Sequence, residues 1–431
     1  MNYFSTNSQS ASVDFKTAAI QGQAPDKGLF FPEHIPALSS DFFDRMDEMS
    51  NEEIAFRVMK PYVGDCIPDD VLQTMVNQTI AFPIPLVPIN AQVDSLELFH
   101  GPTLAFKDVG ARFMSRCLGY FLKDSHKKVT VLVATSGDTG GAVAHGFYDV
   151  PGVEVVILYP SGKVSQVQEK QLTGLGKNIH ALEVKGSFDD CQQMVKDIFA
   201  TATSLPHLFL TSANSINVAR WLPQQMYYFL GYKQSLHKDA VVAVPSGNFG
   251  NLCAGMLAAA SGLPIPHFIA ACNANDVVPR FLQTGIYHTQ ASVPTISNAM
   301  DVANPSNWVR ILELFEQNIP ALKNKLSAYS ISDAETRATI KQVYAQQGYL
   351  LDPHGAVAYA ALEKYFRTHP HAHGWLIETA HPVKFFDVVE PIIDAPVPLP
   401  PAVAEQMKQP KQALLMDNNT EALRQYLREQ L

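Results

Sequence analysis

A lysine among apolar neighbours is the first residue of this sequence that could do chemistry. Lys107 stands between Phe106 and Asp108, where a Gly-Pro loop leads into a helical pattern. Loss of hydration lowers the pKa of a lysine amine, so a buried lysine can act as a nucleophile and as a base. A lone lysine at such a position is usually a surface residue that opens a helix. Other parts of the chain must therefore decide its role.

Two glycine-rich turns each follow a predicted strand directly. They are Ser136–Ala142 and Ser246–Gly250. The glycines let backbone N–H groups turn inward, beside the positive end of the next helix, which suits an anion. One such turn is as often a packing device as a binding site, but two in one sheet favour a site with two anionic groups. The chain contains neither G-x-G-x-x-G nor G-x-x-x-x-G-K-[ST], which argues against a nucleotide site.

A phosphate-bearing group that is not a nucleotide, together with a lysine able to form an imine, points to pyridoxal phosphate. Such a site also needs a partner for the pyridine nitrogen. Thr379, at the end of the predicted strand Trp375–Glu378, could supply a hydroxyl for this purpose. The same hydroxyl could instead satisfy the backbone at the strand end.

Further polar clusters could hold a second phosphate. Asn214, Asn217 and Arg220 are spaced three residues apart, and on a helix they would share one face. Ser297–Asp301 is another polar turn between apolar stretches. Each cluster taken alone is also compatible with a cap or a turn. Lys163 and Lys384 are the other candidate cations besides Arg220.

Strands and helices alternate from about residue 91 onward, where short Val- and Ile-rich runs precede glycine loops and helical patterns. This alternation predicts an α/β protein whose mostly parallel sheet is covered by helices and binds ligands at the carboxyl ends of its strands. Asp41–Lys60 has helical spacing, and Glu390–Pro401 is too rich in proline for a helix or a central strand. The predicted strands are Ser95–Phe99, Val129–Ala134, Val153–Leu158, Ile179–Val184, Ala240–Val244, Phe268–Cys272 and Trp375–Glu378.

Bulk properties exclude several classes of protein. The chain has 431 residues, of which 47% are hydrophobic and 17% charged, as expected for a globular protein of two or three domains. Its net charge of −9, with scattered Lys and Arg, argues against nucleic acid or an anionic membrane as partner. No run approaches the roughly 18 apolar residues of a membrane span. Five cysteines without a Cys-x-x-Cys pair indicate no disulfide framework and no metal site, and favour the cytoplasm.

Taken as an ordered set, these motifs resemble the threonine synthase family, in its longer bacterial and fungal type. The resemblance rests on His100–Asp108, Ser136–Gly140, Ser212–Asn217, Ser246–Gly250, Ser297–Asp301 and the N-terminal Gln21–Pro32. It implies a fold-type II pyridoxal-phosphate enzyme that converts O-phospho-L-homoserine and water into L-threonine and phosphate. It also implies an accessory region at 1–90, a core of two α/β subdomains at 91–390 with the smaller at roughly 110–220, and a connector and helical tail at 391–431.

The family motifs imply a role for each matching residue. Lys107 would be the Schiff-base lysine and the catalytic base. The cofactor would also contact Gly247, Asn248, Phe249, Gly250, Thr379 and Asp138. The substrate would contact Thr103, Ser136, Gly137, Thr139, Asn214, Asn217 and Arg220. Asp138 stands where more distant relatives carry Asn, and an aspartate is usual for this longer type.

Two other functions are compatible with the same scaffold. A phospho-lyase would release 2-oxobutyrate, ammonia and phosphate instead of threonine. A non-catalytic protein that binds the cofactor is disfavoured because Lys107 and the turn Gly247–Gly250 are both present. The resemblance further implies a monomer.

Overall fold

Residues near the amino terminus form a small antiparallel sheet with helices around it. The computed structural model describes residues 1–123, 128–201, 205 and 208–431. The sheet has the order β2-β1-β3. Its strands and the first four helices are β1 (Asn2–Ser5), β2 (Val13–Asp14), β3 (Phe30–Pro32), α1 (Phe15–Gln21), α2 (Ser40–Arg45), α3 (Asn51–Val63) and α4 (Asp69–Thr79). The helix predicted over Asp41–Lys60 is thus two helices, because Ser50 caps a fresh helix start by accepting from the Glu53 N–H.

A larger sheet carries the ends of several predicted motifs. Within the described residues its strand order is β12-β11-β10-β13-β5-β4. The strands are β4 (Leu86–Pro88), β5 (Val93–Glu97), β10 (Val241–Pro245), β11 (Phe268–Cys272), β12 (Leu326–Ser330) and β13 (Gly374–Glu378). All neighbours are parallel except β4 and β5. The predicted strands over 95–99, 240–244, 268–272 and 375–378 are therefore confirmed within two residues at each end.

A smaller sheet is parallel throughout its described strands. Its order is β14-β8-β7-β6-β9, and its strands are β6 (Val129–Ala134), β7 (Val153–Pro160), β8 (Ile179–Lys185), β9 (Phe209–Thr211) and β14 (Leu414–Asp417). All residues of β6 are buried, as expected for a strand covered on both faces. The interpretation that both glycine-rich turns belong to one sheet was wrong, since the turn at Ser136 follows β6 of the smaller sheet and the turn at Ser246 follows β10 of the larger one.

Helices cover both faces of the larger, mostly parallel sheet and of the smaller, parallel one. They are α5 (Lys107–Leu122), α6 (Asp138–Phe147), α7 (Gln166–Thr173), α8 (Phe188–Ala200), α9 (Val218–Trp221), α10 (Gln225–Gln234), α11 (Gly250–Ala260), α12 (Val277–Thr284), α13 (Trp308–Leu314), α14 (Ile319–Lys325), α15 (Asp333–Gln347), α16 (Pro353–Phe366), α17 (Phe386–Ile393), α18 (Pro401–Met407) and α19 (Thr420–Gln430). Among the described helices, none combines the length and apolar character needed to cross a bilayer.

The C-terminal segment, residues 391–431, links the two parallel sheets. It leaves α17, which packs on α15 beside the larger sheet, and then adds β14 to the edge of the smaller sheet. The expectation that Glu390–Pro401 lacks helix was wrong at both ends. Pro391 lies inside α17, and Pro401 begins α18, where its fixed φ suits a first helical residue.

Candidate active site

Lys107 is the first residue of α5, and the loop before it is fixed to the end of β13. The Phe106 N–H donates to the Thr379 carbonyl at 2.9 Å, and the His381 N–H donates to the Leu104 carbonyl at 3.0 Å. The Tyr227 hydroxyl donates to the Phe106 carbonyl on the other side of the loop. These bonds hold Lys107 at the carboxyl edge of the larger sheet.

The Lys107 amine is largely buried, with one carboxylate and two cations near it. Its side chain is 19% exposed, and Nζ lies 3.7 Å from Asp138 Oδ2 and 4.5 Å from the centre of the Phe106 ring. Burial lowers the pKa of Lys107, the cations of Lys384 and Arg220 lower it further, and the Asp138 carboxylate partly opposes them. The amine therefore loses its proton more readily than an ordinary lysine does, as a base and nucleophile requires.

Asp138 is held by two partners from other elements. Its Oδ1 accepts from Lys384 Nζ at 2.8 Å and from Gln168 Nε2 at 3.0 Å. Burial alone would raise the pKa of Asp138, but the ammonium groups of Lys384 and Lys107 outweigh burial and hold this pKa well below its usual range. Asp138 is thus a carboxylate at neutral pH.

The turn that carries Asp138 has three unused backbone donors. Thr135 Oγ1 accepts from the N–H groups of Gly137 and Gly140, both at 2.9 Å. The N–H groups of Ser136, Asp138 and Thr139 donate to no residue that the structure describes. Gly137 has φ 136°, and a Cβ there would lie 2.3 Å from Gln168 Cδ. This turn can therefore bind an anion only with glycine at 137.

The second turn is a run of unpartnered backbone donors. Among the described residues, no acceptor takes the N–H groups of Gly247, Asn248, Phe249 or Gly250. Phe249 has φ 60°, the left-handed conformation, which turns the chain into α11. A Cβ on Gly247 would lie 2.7 Å from Met300 Cα. The turn is a backbone cradle at a helix start, suited to phosphate.

The turn Ser297–Asp301 supports that cradle. Asp301 Oδ1 accepts from Thr295 Oγ1 at 2.7 Å and from Asn273 Nδ2 at 2.9 Å. Met300, within the same turn, packs on Gly247. Asn248 lies on the surface and is held from the other side, since its carbonyl accepts from the Asn307 side chain at 3.1 Å.

Thr379 is buried at the end of β13, and its hydroxyl has no hydrogen-bond partner among the described residues. Its neighbour Glu378 is fully buried and accepts from the Asp352 N–H at 2.8 Å. Burial, followed by the Asp352 carboxylate, raises the pKa of Glu378 well above its usual range. The sequence contains no signal for this buried acid next to Thr379.

The predicted common face of Asn214, Asn217 and Arg220 is wrong, because the helix there spans only Val218–Trp221. Asn214 lies in the preceding turn, and its side chain has no partner among the described residues. Asn217 caps α9 through Oδ1, which accepts from the Ala219 N–H at 2.9 Å, while its Nδ2 donates to the Ala19 carbonyl. Its polar atoms are thus already in use.

Arg220 is buried close to Lys107. Its Nη1 donates to the Ala213 carbonyl at 2.7 Å, and its buried Nε has no partner among the described residues. Burial lowers the pKa of Arg220 to about 10, so it remains a cation at neutral pH. Lys163, in contrast, is exposed on the surface.

Thr103 forms hydrogen bonds with Asp108 in the first turn of α5. Its N–H and Oγ1 donate to the Asp108 carboxylate at 2.9 and 2.5 Å, and its carbonyl accepts from Lys384 Nζ at 2.8 Å. Its hydroxyl therefore orients the loop in front of Lys107.

Gln168 and Arg310 escaped the sequence analysis. Gln168 is visible there only as the last residue of a capping box begun by Ser165; its Oε1 accepts from the Ser165 N–H, which turns Nε2 toward Asp138. Arg310 is fully buried and donates to the carbonyls of Phe30 and Ile216 at 3.0 and 2.6 Å. It ties the N-terminal sheet to the loop before α9, and no local pattern marks it.

The site therefore joins one enclosed amine, two turns of free backbone donors, and a buried hydroxyl at a strand end. This donor set fits pyridoxal phosphate, which needs a lysine, a phosphate cradle and a neutral partner for its ring nitrogen.

Comparison with known proteins identifies the family. Residues 87–373 match the pyridoxal-phosphate dependent enzyme family, residues 2–80 the threonine synthase N terminus and residues 355–427 the threonine synthase C-terminal family. The chain is 44% identical over 413 residues to threonine synthase of Escherichia coli, which covers 95% of each chain. The chain belongs to the threonine synthase family.

Solved structures of this family have the same fold. The E. coli threonine synthase structure is 42% identical with a TM-score of 0.92, and the pyridoxal-phosphate-bound threonine synthase from Brucella melitensis is 34% identical with a TM-score of 0.92. Both alignments cover 99% of each chain. The predicted fold-type II architecture, pyridoxal phosphate as cofactor and a threonine synthase function as a lyase are therefore confirmed.

Proposed function

We propose that this chain converts O-phospho-L-homoserine and water into L-threonine and phosphate, with the residues described above in specific roles. The observation that carries these roles is the position of the Lys107 amine, 3.7 Å from a buried carboxylate and at the helix start beside Thr379. Pyridoxal phosphate, when bound, supplies a ring that stabilises negative charge on the substrate carbons.

Three groups would hold the cofactor. Lys107 would bind it covalently, the free N–H groups of Gly247–Gly250 would bind its phosphate, and the Thr379 hydroxyl would meet its ring nitrogen. Asp138 would lie beside its ring, where the Gln168 amide and Lys384 fix the carboxylate. The donor chemistry of these groups supports the assignment.

The substrate carries two anionic ends. The N–H groups of Ser136, Asp138 and Thr139, in the turn shaped by Gly137, are the best donors for its carboxylate. Arg220, with its unused Nε, and Asn214 are our candidates for its phosphate. We propose Thr103 and Asn217 as supports of these loops, since their side chains already bond to the protein.

Lys107 would move the protons. With the substrate in place, the Lys107 amine would carry the protons one at a time. It would take one from Cα and pass it to the phosphate that leaves, take one from Cβ and return it to Cγ, and, when water adds its hydroxyl at Cβ, carry the proton of that water to Cα. The lowered pKa of Lys107 supports this role, because a base works best when its pKa is near the operating pH.

The test compares Lys107→Ala with Lys196→Ala, which alters an exposed lysine of α8. Wild type and Lys196→Ala should form threonine and phosphate in equal amounts. Lys107→Ala should lose turnover by about 10²–10⁴-fold or more, because it lacks the positioned base. Borohydride reduction followed by peptide mapping should place the cofactor on Lys107.

Formation of 2-oxobutyrate and ammonia in place of threonine would contradict the proposal and favour the phospho-lyase. A reduced adduct on another lysine would contradict the role of Lys107.

We also propose that the protein acts as a cytoplasmic monomer on a small-molecule substrate. The five cysteines are all free, and four of them are buried, which suits a reducing compartment. Light scattering coupled to gel filtration should give one chain mass of 47.4 kDa. A doubled mass would contradict the monomer.

A further inference from the structure

A second polar cavity lies apart from the site around Lys107. Its volume is about 300 Å³, and it is a partly open cleft between the end of α4, the middle of α5 and the end of α6. Its polar lining includes Gln78, Arg112, Arg116 and His145. Arg116 lies nine residues beyond Lys107 on α5, or about 14 Å along the helix at 1.5 Å per residue. None of the described residues that line the cavity belongs to the site around Lys107, so the two are separate.

Two guanidinium groups are held rigidly at this cavity by the end of α4. Arg112 donates through Nε and Nη2 to the Gln78 carbonyl at 3.1 and 2.6 Å. Arg116 donates through Nε to Gln78 Oε1 at 2.8 Å and through Nη1 to the Arg112 carbonyl at 2.9 Å. Both side chains are half-buried, so little further side-chain entropy is lost when a ligand binds.

Each guanidinium keeps one nitrogen free. Nη1 of Arg112 and Nη2 of Arg116 donate to no described residue, and no described carboxylate lies within 4 Å of either group, although the Asp108 carboxylate acts on Arg112 from farther away. Two fixed positive charges with open donors face one cavity. This arrangement matches a doubly charged anion, which guanidinium groups bind through paired donors.

His145 adds a polar group without adding charge. Neither of its ring nitrogens has a partner among the residues described, and the ring lines the cavity. Burial lowers the pKa of His145 to about 4, and Lys384 contributes to the same direction. At neutral pH the ring is uncharged and can donate one hydrogen bond to an anion or to its ester oxygen.

We propose that this cavity is a binding site for a small phosphate-bearing molecule, whose phosphate bridges Arg112 and Arg116 and is contacted by His145. A phosphate dianion balances the two guanidinium charges, and 300 Å³ leaves room for an organic group attached to it. The cavity also shares two helices with the site around Lys107. The two helices that line it, α5 and α6, begin with Lys107 and Asp138.

Calorimetric titration of the holoenzyme tests the proposal. The probes are inorganic phosphate, glycerol 2-phosphate as a phosphate ester, and succinate as a dicarboxylate. Phosphate should bind the wild type at two sites. One is the active site, where phosphate competes with O-phospho-L-homoserine, and the additional site is the cavity. Arg116→Gln should weaken that additional site about tenfold or more, because a charge-assisted contact is lost. The constant for inhibition by phosphate in competition with O-phospho-L-homoserine should be the same in Arg116→Gln as in wild type.

Matched variants separate binding from folding. Arg57→Gln removes an arginine that pairs with Glu53 on the surface of α3, and it should bind phosphate as wild type does. His145→Leu keeps both arginines and their contacts with Gln78, and should weaken the additional site several-fold. Tighter binding of glycerol 2-phosphate than of inorganic phosphate would identify an ester as the ligand.

Three results would overturn the proposal. One is equal phosphate stoichiometry and affinity in wild type, Arg116→Gln and His145→Leu. Another is phosphate binding that is wholly competitive with substrate. The third is succinate binding more tightly than both phosphate probes, which would exclude the phosphate class.

Discussion

The substitution Lys384→Met removes one buried charge from the centre of the site with little change in volume. The side chain of Lys384 has 0% exposure, and Nζ lies 2.8 Å from Asp138 Oδ1 and 2.8 Å from the Thr103 carbonyl. Methionine fills similar space but can neither neutralise the carboxylate nor donate to the carbonyl. Asp138 would then keep only Gln168 and Lys107 as partners.

The expected loss in the free energy of unfolding follows from these contacts. Removal of one partner from a buried ion pair typically costs about 3–5 kcal/mol. Lys107 remains 3.7 Å from Asp138, and at an effective dielectric constant of about 20 such a contact is worth about 4 kcal/mol. The remaining carboxylate is therefore partly compensated. We expect a loss near the lower limit, about 3 kcal/mol at pH 7.

The loss should depend on pH with a definite sign. In the wild type the pKa of Asp138 lies below its unfolded value, so its stabilising effect is complete above about pH 4 and is lost as the pH falls further. Without Lys384 the buried carboxylate takes up a proton more easily. The difference between Lys384→Met and wild type should therefore shrink between pH 7 and pH 5.

Urea denaturation of the apoenzyme, in which the Lys107 amine is free, measures both effects. Lys185→Met is the matched control, since it breaks an exposed pair with Asp417 and should cost no more than about 1 kcal/mol. In an Asp138→Asn background, Lys384→Met should cost less than in the wild type, because there is no carboxylate to leave unpaired. An equal cost in both backgrounds, or a cost no larger than that of the control, would refute the assignment.

Two further substitutions test the cradle and the scaffold. Gly247→Ala places a Cβ 2.7 Å from Met300 Cα, and we expect pyridoxal phosphate affinity to fall about tenfold, measured by titrating the apoenzyme. Gly285→Ala controls for backbone strain alone, because Gly285 has φ 74° and a Cβ there meets no atom within 4 Å; equal affinities of the two variants would contradict the cradle. Arg310→Lys cannot reproduce the forked contacts of Arg310, and it should lower the urea stability by about 2–4 kcal/mol, whereas Arg45→Lys on the surface should be neutral.

The parallel strands were predictable because they are buried on both faces. Val129–Ala134 and Phe268–Cys272 are continuous apolar runs bounded by polar turns, and both strands have the predicted limits. The glycine turns were also visible, since only glycine permits the backbone of Gly137. The edge strand β14 was missed, because its exposed leucines give no alternation that a sequence pattern detects.

Contacts between residues far apart in the sequence could not be predicted from local sequence patterns. Asp138, Gln168 and Lys384 belong to different elements, and nothing in their neighbouring residues indicates that they meet. The predicted shared face of Asn214, Asn217 and Arg220 is absent because a three-residue spacing implies a shared face only within a helix. In the structure Asn217 ends the turn and caps a short helix instead. The roles of these residues toward a substrate stay predictions.

The way in which β14 and β13 complete their sheets has a consequence for biosynthesis. β14 pairs with β8, and β13 lies between β5 and β10. Both large sheets therefore cannot be completed until these late segments have been translated. The loop before Lys107 likewise waits for the Thr379 carbonyl. A chain emerging from the ribosome must therefore carry unpaired strand edges through most of its synthesis, a state prone to aggregation. The site around Lys107 can therefore form only after the C-terminal segments have been synthesised, although most of its motifs are made earlier.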